Sequence, residues 1–253
     1  VDTARIAALL EPFLEQSLSS SQLDQISIYI DLLLRWNARI NLTAIRKEEE
    51  VVTRHFGESF FMARHLFPSD VPDSASVPAL EGVPSKLRLG GDVSGSTGYW
   101  VLGTDHQPLT TDHCTPRVLD IGSGAGFPAL PLKIWAPPIH LTLIESNHKK
   151  AAFLREVARA LTLTNINVIS DRAETLSARP DFPRADVVTL RAVEHFETIL
   201  PQAVTFLASN GTLALLIGAA QIPHLTPLTT LQWRPPIPVP KSHSRVLSIG
   251  VPK

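Results

Sequence analysis

Three glycines at alternate positions, Gly122, Gly124 and Gly126, follow the run Val118-Leu119-Asp120-Ile121, and a second apolar run, Leu141-Thr142-Leu143-Ile144, ends in Glu145. Glycine lacks a Cβ, so its backbone reaches positive φ and comes close to a ligand. Strand, glycine turn, helix, second strand and closing acid, in that order, describe a nucleotide-type cofactor site in which the acid accepts bonds from ribose hydroxyls. The plain alternative is a glycine turn and a helix-capping acid with no ligand, and the ordered succession favours the cofactor. A dinucleotide site wants glycine or alanine three positions after its second glycine. Phe127 stands there, with Pro128 behind it. A ring at that point blocks the helix–pyrophosphate approach, so NAD and FAD are disfavoured. A donor without a pyrophosphate fits better, and S-adenosylmethionine is such a donor.

The elements that position these residues are legible around them. From Arg117 onward strands are predicted near 117–121, 140–145, 167–170, 186–190, 211–217 and 243–250. Helices are predicted near 127–135, 148–161 and 196–208. This alternation describes an α/β fold, a Rossmann-like doubly wound sheet with helices on both faces. Residues 3–16 are predicted helical. A second helix is predicted with Ser21 as N-cap and Asp24 three residues on, burying Leu23, Ile26, Ile30, Leu33 and Ile40 at three-to-four spacing. A third spans 47–67, its Glu48, Glu49 and Glu50 at the positive end of the helix dipole. Three units result: a helical cap over 1–68, an insertion over 69–116 and a catalytic domain over 117–253. The insertion is rich in proline and glycine, and its 85–89 and 99–103 stretches could pair as a hairpin.

Composition narrows the class. The chain has 253 residues, 44% of them hydrophobic, and no apolar run long enough to span a membrane. The N-terminus lacks the basic-then-apolar form of a signal peptide. One cysteine, Cys114, excludes an internal disulfide and a cysteine-built metal site. A cytoplasmic enzyme is expected. The net charge of −1 divides as −2 over 1–68, −4 over 69–116 and +5 over 117–253. The catalytic domain is therefore basic, which is compatible with phosphate contacts. The acidic insertion is a poor RNA binder.

The chain resembles the RsmG (GidB) family, the 16S ribosomal RNA guanine-N7 methyltransferases. The resemblance rests on Trp36-Asn37 with Asn41-Leu42-Thr43, and on Arg54-His55 with Glu58-Ser59. It continues through Leu119 to Pro128, Glu145-Ser146 with Lys149 and Phe153-Leu154, Arg172-Ala173-Glu174 and Arg191-Ala192. It covers the cap and the C-terminal domain, and leaves out most of 69–116. It implies a class I S-adenosylmethionine-dependent methyltransferase fold. By position it implies that Asp120, Gly122, Ser123, Gly124, Gly126 and Phe127 form the cofactor loop, with Gly122 and Phe127 at the methionine end. Glu145, with Ser146 beside it, would hold the ribose, and Ala173 and Glu174 would border the adenine. Arg191 would face both cofactor and target base. Arg54, His55 and Arg245 would meet RNA. The family commonly has Asp where this chain has Glu145, and Lys-Gly where it has Ile217-Gly218.

What is missing also bears on the chemistry. Many amine methyltransferases carry an Asp/Asn-Pro-Pro-aromatic motif after the fourth strand, where this chain reads Leu190-Arg191-Ala192-Val193. Cytosine-C5 enzymes need a cysteine near that region, and Cys114 lies upstream of the first strand. Guanine N7 needs neither device: its lone pair is free and attack leaves no proton to remove. Arg191 would therefore position, with no general base. Holding two reactants in line can remove roughly 7–11 kcal/mol of barrier.

Each residue also has a bland role. Arg191 could pair with an acid at the sheet edge, Asn41 and Thr43 could form a helix stop and turn, and Trp36 belongs in a core. Lys149, Lys150, Arg155 and Arg159 could be a solvated face. His106 and His113 lack neighbours suited to zinc, so no metal is expected. The expected partner is 16S ribosomal RNA or the small ribosomal subunit, met by a monomer without a membrane. Rival readings are a small-molecule or protein methyltransferase, and an RNA-binding ribosome-assembly factor without catalysis.

Overall fold

The computed structural model describes residues 2–68, 115–191 and 196–253. The expected hairpin, Cys114, His106, His113 and Ala192 lie outside the described residues.

The N-terminal helices form where local capping and an apolar stripe agree. Helix α1 (Thr3–Leu10) starts on Asp2, whose side chain accepts from the Ala4 amide at 3.2 Å. Helix α2 (Ser20–Asn37) starts two residues earlier than Ser21 would place it. Its N-cap is Ser19, in a capping box with Gln22: the Gln22 amide donates to Ser19 Oγ at 3.2 Å and the Ser19 amide to Gln22 Oε1 at 2.9 Å. Two orphan amides are satisfied at once, which Ser21 with Asp24 would not do better. The buried face of α2 carries Ile26, Tyr29, Ile30, Leu32 and Leu33.

The third helix is not uniform. It opens as α3 (Glu48–Glu50), widens into a π-helical segment (Val51–Gly57) and continues as α4 (Glu58–Leu66). Such widened turns occur mostly as single insertions and frequently at functional sites. Gly57 closes the segment where the Phe13 ring packs: a Cβ there would meet that ring at 2.7 Å.

The sheet has eight strands: β1 (Arg117–Ile121), β2 (His140–Ile144), β3 (Ile166–Ile169), β4 (Ala185–Arg191), β5 (Leu207–Gly218), β6 (Leu231–Trp233), β7 (Ile237–Pro238) and β8 (Arg245–Pro252). Their order is β3-β2-β1-β4-β5-β8-β6, with β7 also on β8. The first five are parallel, and β8 runs antiparallel to β5. Strand order reverses between β1 and β4, the switch point at which open α/β sheets bind ligands beyond the strands' carboxyl ends.

Side chains alternate between two cores. Val118, Leu141, Leu143, Val187, Leu216 and Leu247 face the cap together with α5 (Ala129–Trp135) and α6 (His148–Ala160). Leu119, Ile121, Ile144, Val188, Leu190, Leu215 and Ile217 face α7 (Ala173–Ser177) and α8 (Phe196–Thr205). The cap is thus fastened over α5 and α6. Trp135 Nε1 donates to the Phe67 carbonyl at 2.9 Å, Gln22 Nε2 to that of Ile134 at 3.0 Å, and Gln25 Nε2 to that of Leu161 at 3.2 Å.

Several elements depart from expectation, among them the first helix, which stops at Leu10 rather than near residue 16. Helix α8 ends at Thr205 and β5 begins at Leu207, four residues early, with a register irregularity against β4 between Ala185 and Val187. The short α7 and the edge strands β6 and β7 have too few residues for a period to show. Among the described residues no helix is long and apolar enough to cross a membrane.

Candidate active site at the carboxyl edge of the sheet

The chain leaves β1 through three glycines with positive φ: 68° at Gly122, 54° at Gly124 and 88° at Gly126. Their demands differ. A Cβ on Gly126 would run into the Tyr29 hydroxyl and stand 2.6 Å from Leu130 Cδ1, so this glycine serves packing. Among the described residues a Cβ on Gly124 would meet only the Gly122 carbonyl, at 3.7 Å, so they leave the space beside Gly124 open.

Glu145 reaches back to this turn from the end of β2. Its Oε2 accepts from the Gly124 amide at 2.8 Å and its Oε1 from the Asn147 amide at 2.8 Å. The carboxylate is fixed in place and still has acceptor capacity for hydroxyls. Asp120 sits beneath the turn, fully buried. Its Oδ1 accepts from Thr189 Oγ1 at 2.6 Å, while among the described residues Oδ2 has no hydrogen-bond partner. Burial pushes its carboxyl up to about 7, Thr189 and Ser123 pull it down, the Glu145 charge raises it and Arg191 lowers it. A buried acceptor without a partner is costly unless something else satisfies it.

Phe127 closes the loop against the cap. Its ring stacks with Tyr29 (centroids 5.2 Å apart, planes 4° apart) and with His55 (4.6 Å, 13°), and Phe56 meets it edge-on at 5.0 Å. Tyr29 Oη donates to the Ala125 carbonyl at 2.5 Å. His55 rides on the π-helical segment, with Nε2 at 2.8 Å from Thr43 Oγ1 and a buried Nδ1 that has no partner among the described residues. Desolvation first, then Arg191, Arg54 and Arg245, pull its pKa down to about 3, so the ring is neutral near pH 7.

Thr43 is placed by Asn37 rather than by Asn41. Asn37 Oδ1 accepts from the Leu42 and Thr43 amides at 2.9 and 3.0 Å, and its Nδ2 donates to the Thr43 carbonyl at 3.0 Å. The Asn-Leu-Thr stretch is therefore a turn stapled by the last residue of α2. Through that turn the cap holds His55.

Arg191 ends β4, and its side chain is nearly buried. From Nη2 it donates to the Arg54 carbonyl at 2.5 Å and to Glu58 Oε2 at 2.9 Å. Burial lowers its pKa to about 10, with Glu58 opposing, and it stays charged. Arg245, at the start of β8, places Nε 3.4 Å from Glu58 Oε1. Glu58 thus lies between two arginines, and it was not among the site residues expected from sequence. The sequence placed it only within the Arg54-His55 and Glu58-Ser59 element of the family resemblance, with no role of its own. Tyr29 and Thr189 were likewise not foreseen, and Thr43 was expected only as part of a turn.

The remaining expected residues line the same edge. Ser146 follows Glu145 and is exposed, Ala173 opens α7 and is buried, and Glu174 beside it is exposed. Arg54 presents its side chain to solvent. On α6, Arg155 Nη2 donates to the Val168 carbonyl at 2.8 Å, which ties one member of the solvated face to β3. Among the described residues no cluster of three or more potential metal ligands occurs. A groove of about 780 Å³ opens near Arg117, His140, Asn167 and Arg184, at the strands' amino ends, and shares no residue with this site.

An unpartnered buried carboxylate oxygen, an open glycine face and a fixed second carboxylate suit a ligand that carries an ammonium group and a ribose diol. S-adenosylmethionine is such a ligand, so the residues fit it.

Comparison with known proteins points the same way. The model of the family described as rRNA small subunit methyltransferase G matches residues 22–85 and 107–228. Proteins named ribosomal RNA small subunit methyltransferase G are similar over most of the chain. The one from Bacillus subtilis is 31% identical over 205 residues, 81% of this chain and 67% of the relative. That from Roseiflexus castenholzii is 34% identical over 204 residues, 80% and 68% of the two chains. That from Streptococcus pyogenes serotype M5 is 33% identical over 205 residues, 81% and 68%.

Proposed function

Because the chain belongs to the rRNA small subunit methyltransferase G family, we propose that it transfers a methyl group from S-adenosylmethionine to N7 of a guanine in 16S ribosomal RNA. The observation that carries this reading is the joint placement of Asp120, Gly124 and Glu145 at the switch point, with Glu145 fixed by the Gly124 amide and Asp120 Oδ2 left to accept.

When bound, the cofactor supplies a methyl group on a positively charged sulfur. Glu145 accepts from its ribose, with Ser146 alongside, and Asp120 takes its ammonium. Gly122, Ser123, Gly124, Gly126 and Phe127 shape the loop, and Ala173 and Glu174 border the adenine. Arg191 positions the target base, and Arg54, His55 and Arg245 meet the RNA. No side chain has to remove a proton, since guanine N7 carries a free lone pair. The neutral His55 is no obstacle to this scheme: it bears no charge to repel an incoming cation. Positioning and exclusion of water then carry the rate.

In this reading the helical cap, 1–68, buttresses the glycine loop, 117–253 does the chemistry, and 69–116 is an insertion between them. The protein works as a monomer on the small ribosomal subunit or its RNA, in the cytoplasm. The test is deletion of the gene followed by mapping of N7-methylguanosine in small-subunit ribosomal RNA. One such site disappears and returns on complementation. Retention of every site overturns the proposed substrate.

A further inference from the structure

Three guanidinium groups gather at the carboxyl edge of the sheet: Arg54 on the cap, Arg191 at the end of β4 and Arg245 at the start of β8. All three act on His55. Among the described residues, the only carboxylate ion-paired with any of them is Glu58, from the first turn of α4. Its side chain is 3% exposed and that of Arg191 6%. One carboxylate oxygen takes Arg191 and the other faces Arg245. Arg191 stands beside the glycine turn, one residue beyond the Leu190–Ile121 pair of the β1–β4 register, and from there its charge favours the ionised forms of the Asp120 carboxyl and the Tyr29 hydroxyl.

We propose that Glu58 is a positioning residue of the cofactor site that offsets the charge of Arg191 and Arg245, and so sets how strongly the crevice prefers the sulfonium donor over its thioether product. The proposal rests on the reading that this crevice takes S-adenosylmethionine, and not on which nucleotide is methylated.

The argument is electrostatic. Donor and product differ by one methyl group and one positive charge, at the sulfur. Two guanidinium groups without a counter-charge would oppose the donor and leave the product nearly untouched. Glu58 supplies that counter-charge at hydrogen-bond distance from Arg191, in surroundings dry enough for it to count. It does so from the cap, so docking of the cap and tuning of the crevice are one contact. It also fixes the Arg191 guanidinium by Nη2. Among the described residues Nε and Nη1 make no hydrogen bond, and they remain for a ligand.

A purely structural carboxylate would behave differently. Removing one member of a buried ion pair destabilises the fold, and a loosened cap would weaken donor and product alike. The ratio of the two affinities separates the cases. The experiment is isothermal titration of the full chain with S-adenosylmethionine and with S-adenosylhomocysteine, for wild type, Glu58→Gln, Glu58→Asp, Arg245→Gln and the double variant Glu58→Gln/Arg191→Gln. In Glu58→Gln the donor-to-product affinity ratio falls roughly five- to tenfold. Glu58→Asp restores most of it, and so does the added Arg191→Gln. Arg245→Gln, at a side chain 24% exposed, moves the ratio the opposite way, toward the donor. That variant keeps the test open should Glu58→Gln fail to fold. A ratio unchanged in Glu58→Gln, or unchanged in Arg245→Gln, overturns the proposal. If the wild type binds neither compound, the cofactor reading itself fails and the proposal with it.

Discussion

His55 stacks on Phe127 with centroids 4.6 Å apart and planes 13° apart. One ring belongs to the π-helical segment of the cap, the other to the loop that leaves β1. The glycine loop therefore takes its shape from a second layer of structure, and Tyr29 reinforces it from α2 by stacking on the same ring and bonding the Ala125 carbonyl.

Removal of that ring should undo the junction. Phe127→Ala deletes stacks with Tyr29 and His55 and the edge contact with Phe56, and should cost about 3–5 kcal/mol of stability. Phe127→Leu keeps much of the volume and should cost less. Urea denaturation of both variants checks the order. Equal midpoints would mean that the ring contacts contribute little.

The glycines should separate by role. Gly126→Ala forces a Cβ against Tyr29 and Leu130 at a φ of 88°, and should cost about 2–5 kcal/mol through crowding and a left-handed backbone. Gly124→Ala meets open space and suffers only its φ of 54°, about 1–2 kcal/mol. It should fold yet bind the cofactor more weakly, because the new methyl group stands where the ligand would lie. Thermal melts and cofactor titration together distinguish the two.

Two buried groups pull the pH dependence of stability in opposite directions. The Asp120 carboxyl is raised from 3.8 to about 7, so between those values the folded chain holds a proton that the unfolded chain has released. Its contribution is full below the unfolded value and is lost as pH rises through the folded one. His55 is lowered from 6.5 to about 3, so its contribution is present above 6.5 and is lost as pH falls. The two slopes cancel between about pH 4 and 6.5. Asp120→Asn should expose the His55 slope, with stability falling as pH drops from 6.5. His55→Gln should expose the Asp120 slope, with stability falling as pH rises from 4 to 7. Each swing is on the order of a few kcal/mol. Chemical denaturation across this range checks the signs, and three parallel profiles would refute the assignment.

The RNA contacts proposed for Arg54 and Arg245 predict a salt signature. Arg54→Ala, at an exposed position, should weaken binding of small-subunit ribosomal RNA whatever the sequence. It should also lower the slope of log affinity against log salt by about one. Arg245→Ala should do the same to a smaller degree, since Glu58 already engages it. Binding measured at several salt concentrations decides this. An unchanged slope would remove the residue from the interface.

Much of this arrangement can be read from the chain itself, for a physical reason. The strands β1 and β2, the glycine turn between Ile121 and Phe127 and the acid at Glu145 are local patterns, set by period and by the lack of a Cβ. Their meeting follows from the right-handed crossover of parallel strands. Glu58 and Arg191 are 133 residues apart, and Tyr29 and Ala125 are 96 apart. No local pattern reports such pairs. The π-helical turn at Val51–Gly57 also escaped, because its apolar spacing mimics an ordinary helix. The start of β5 at Leu207 was absorbed into α8 because Ala203, Phe206 and Leu207 continue the helix's apolar stripe. The cap of α2 at Ser19 was misplaced because four consecutive residues, Ser19 to Gln22, offer polar side chains, and only the reciprocal bond to Gln22 selects among them.

The most direct test is transfer itself. Purified protein is incubated with methyl-labelled S-adenosylmethionine and small ribosomal subunits from cells lacking the gene, and the labelled nucleoside is identified by mass spectrometry. The account predicts close to one methyl group per subunit, on N7 of a guanine in the 16S RNA, and loss of the label with Gly124→Val. Label on another atom or another class of molecule, or none while the protein still binds the donor, would contradict it.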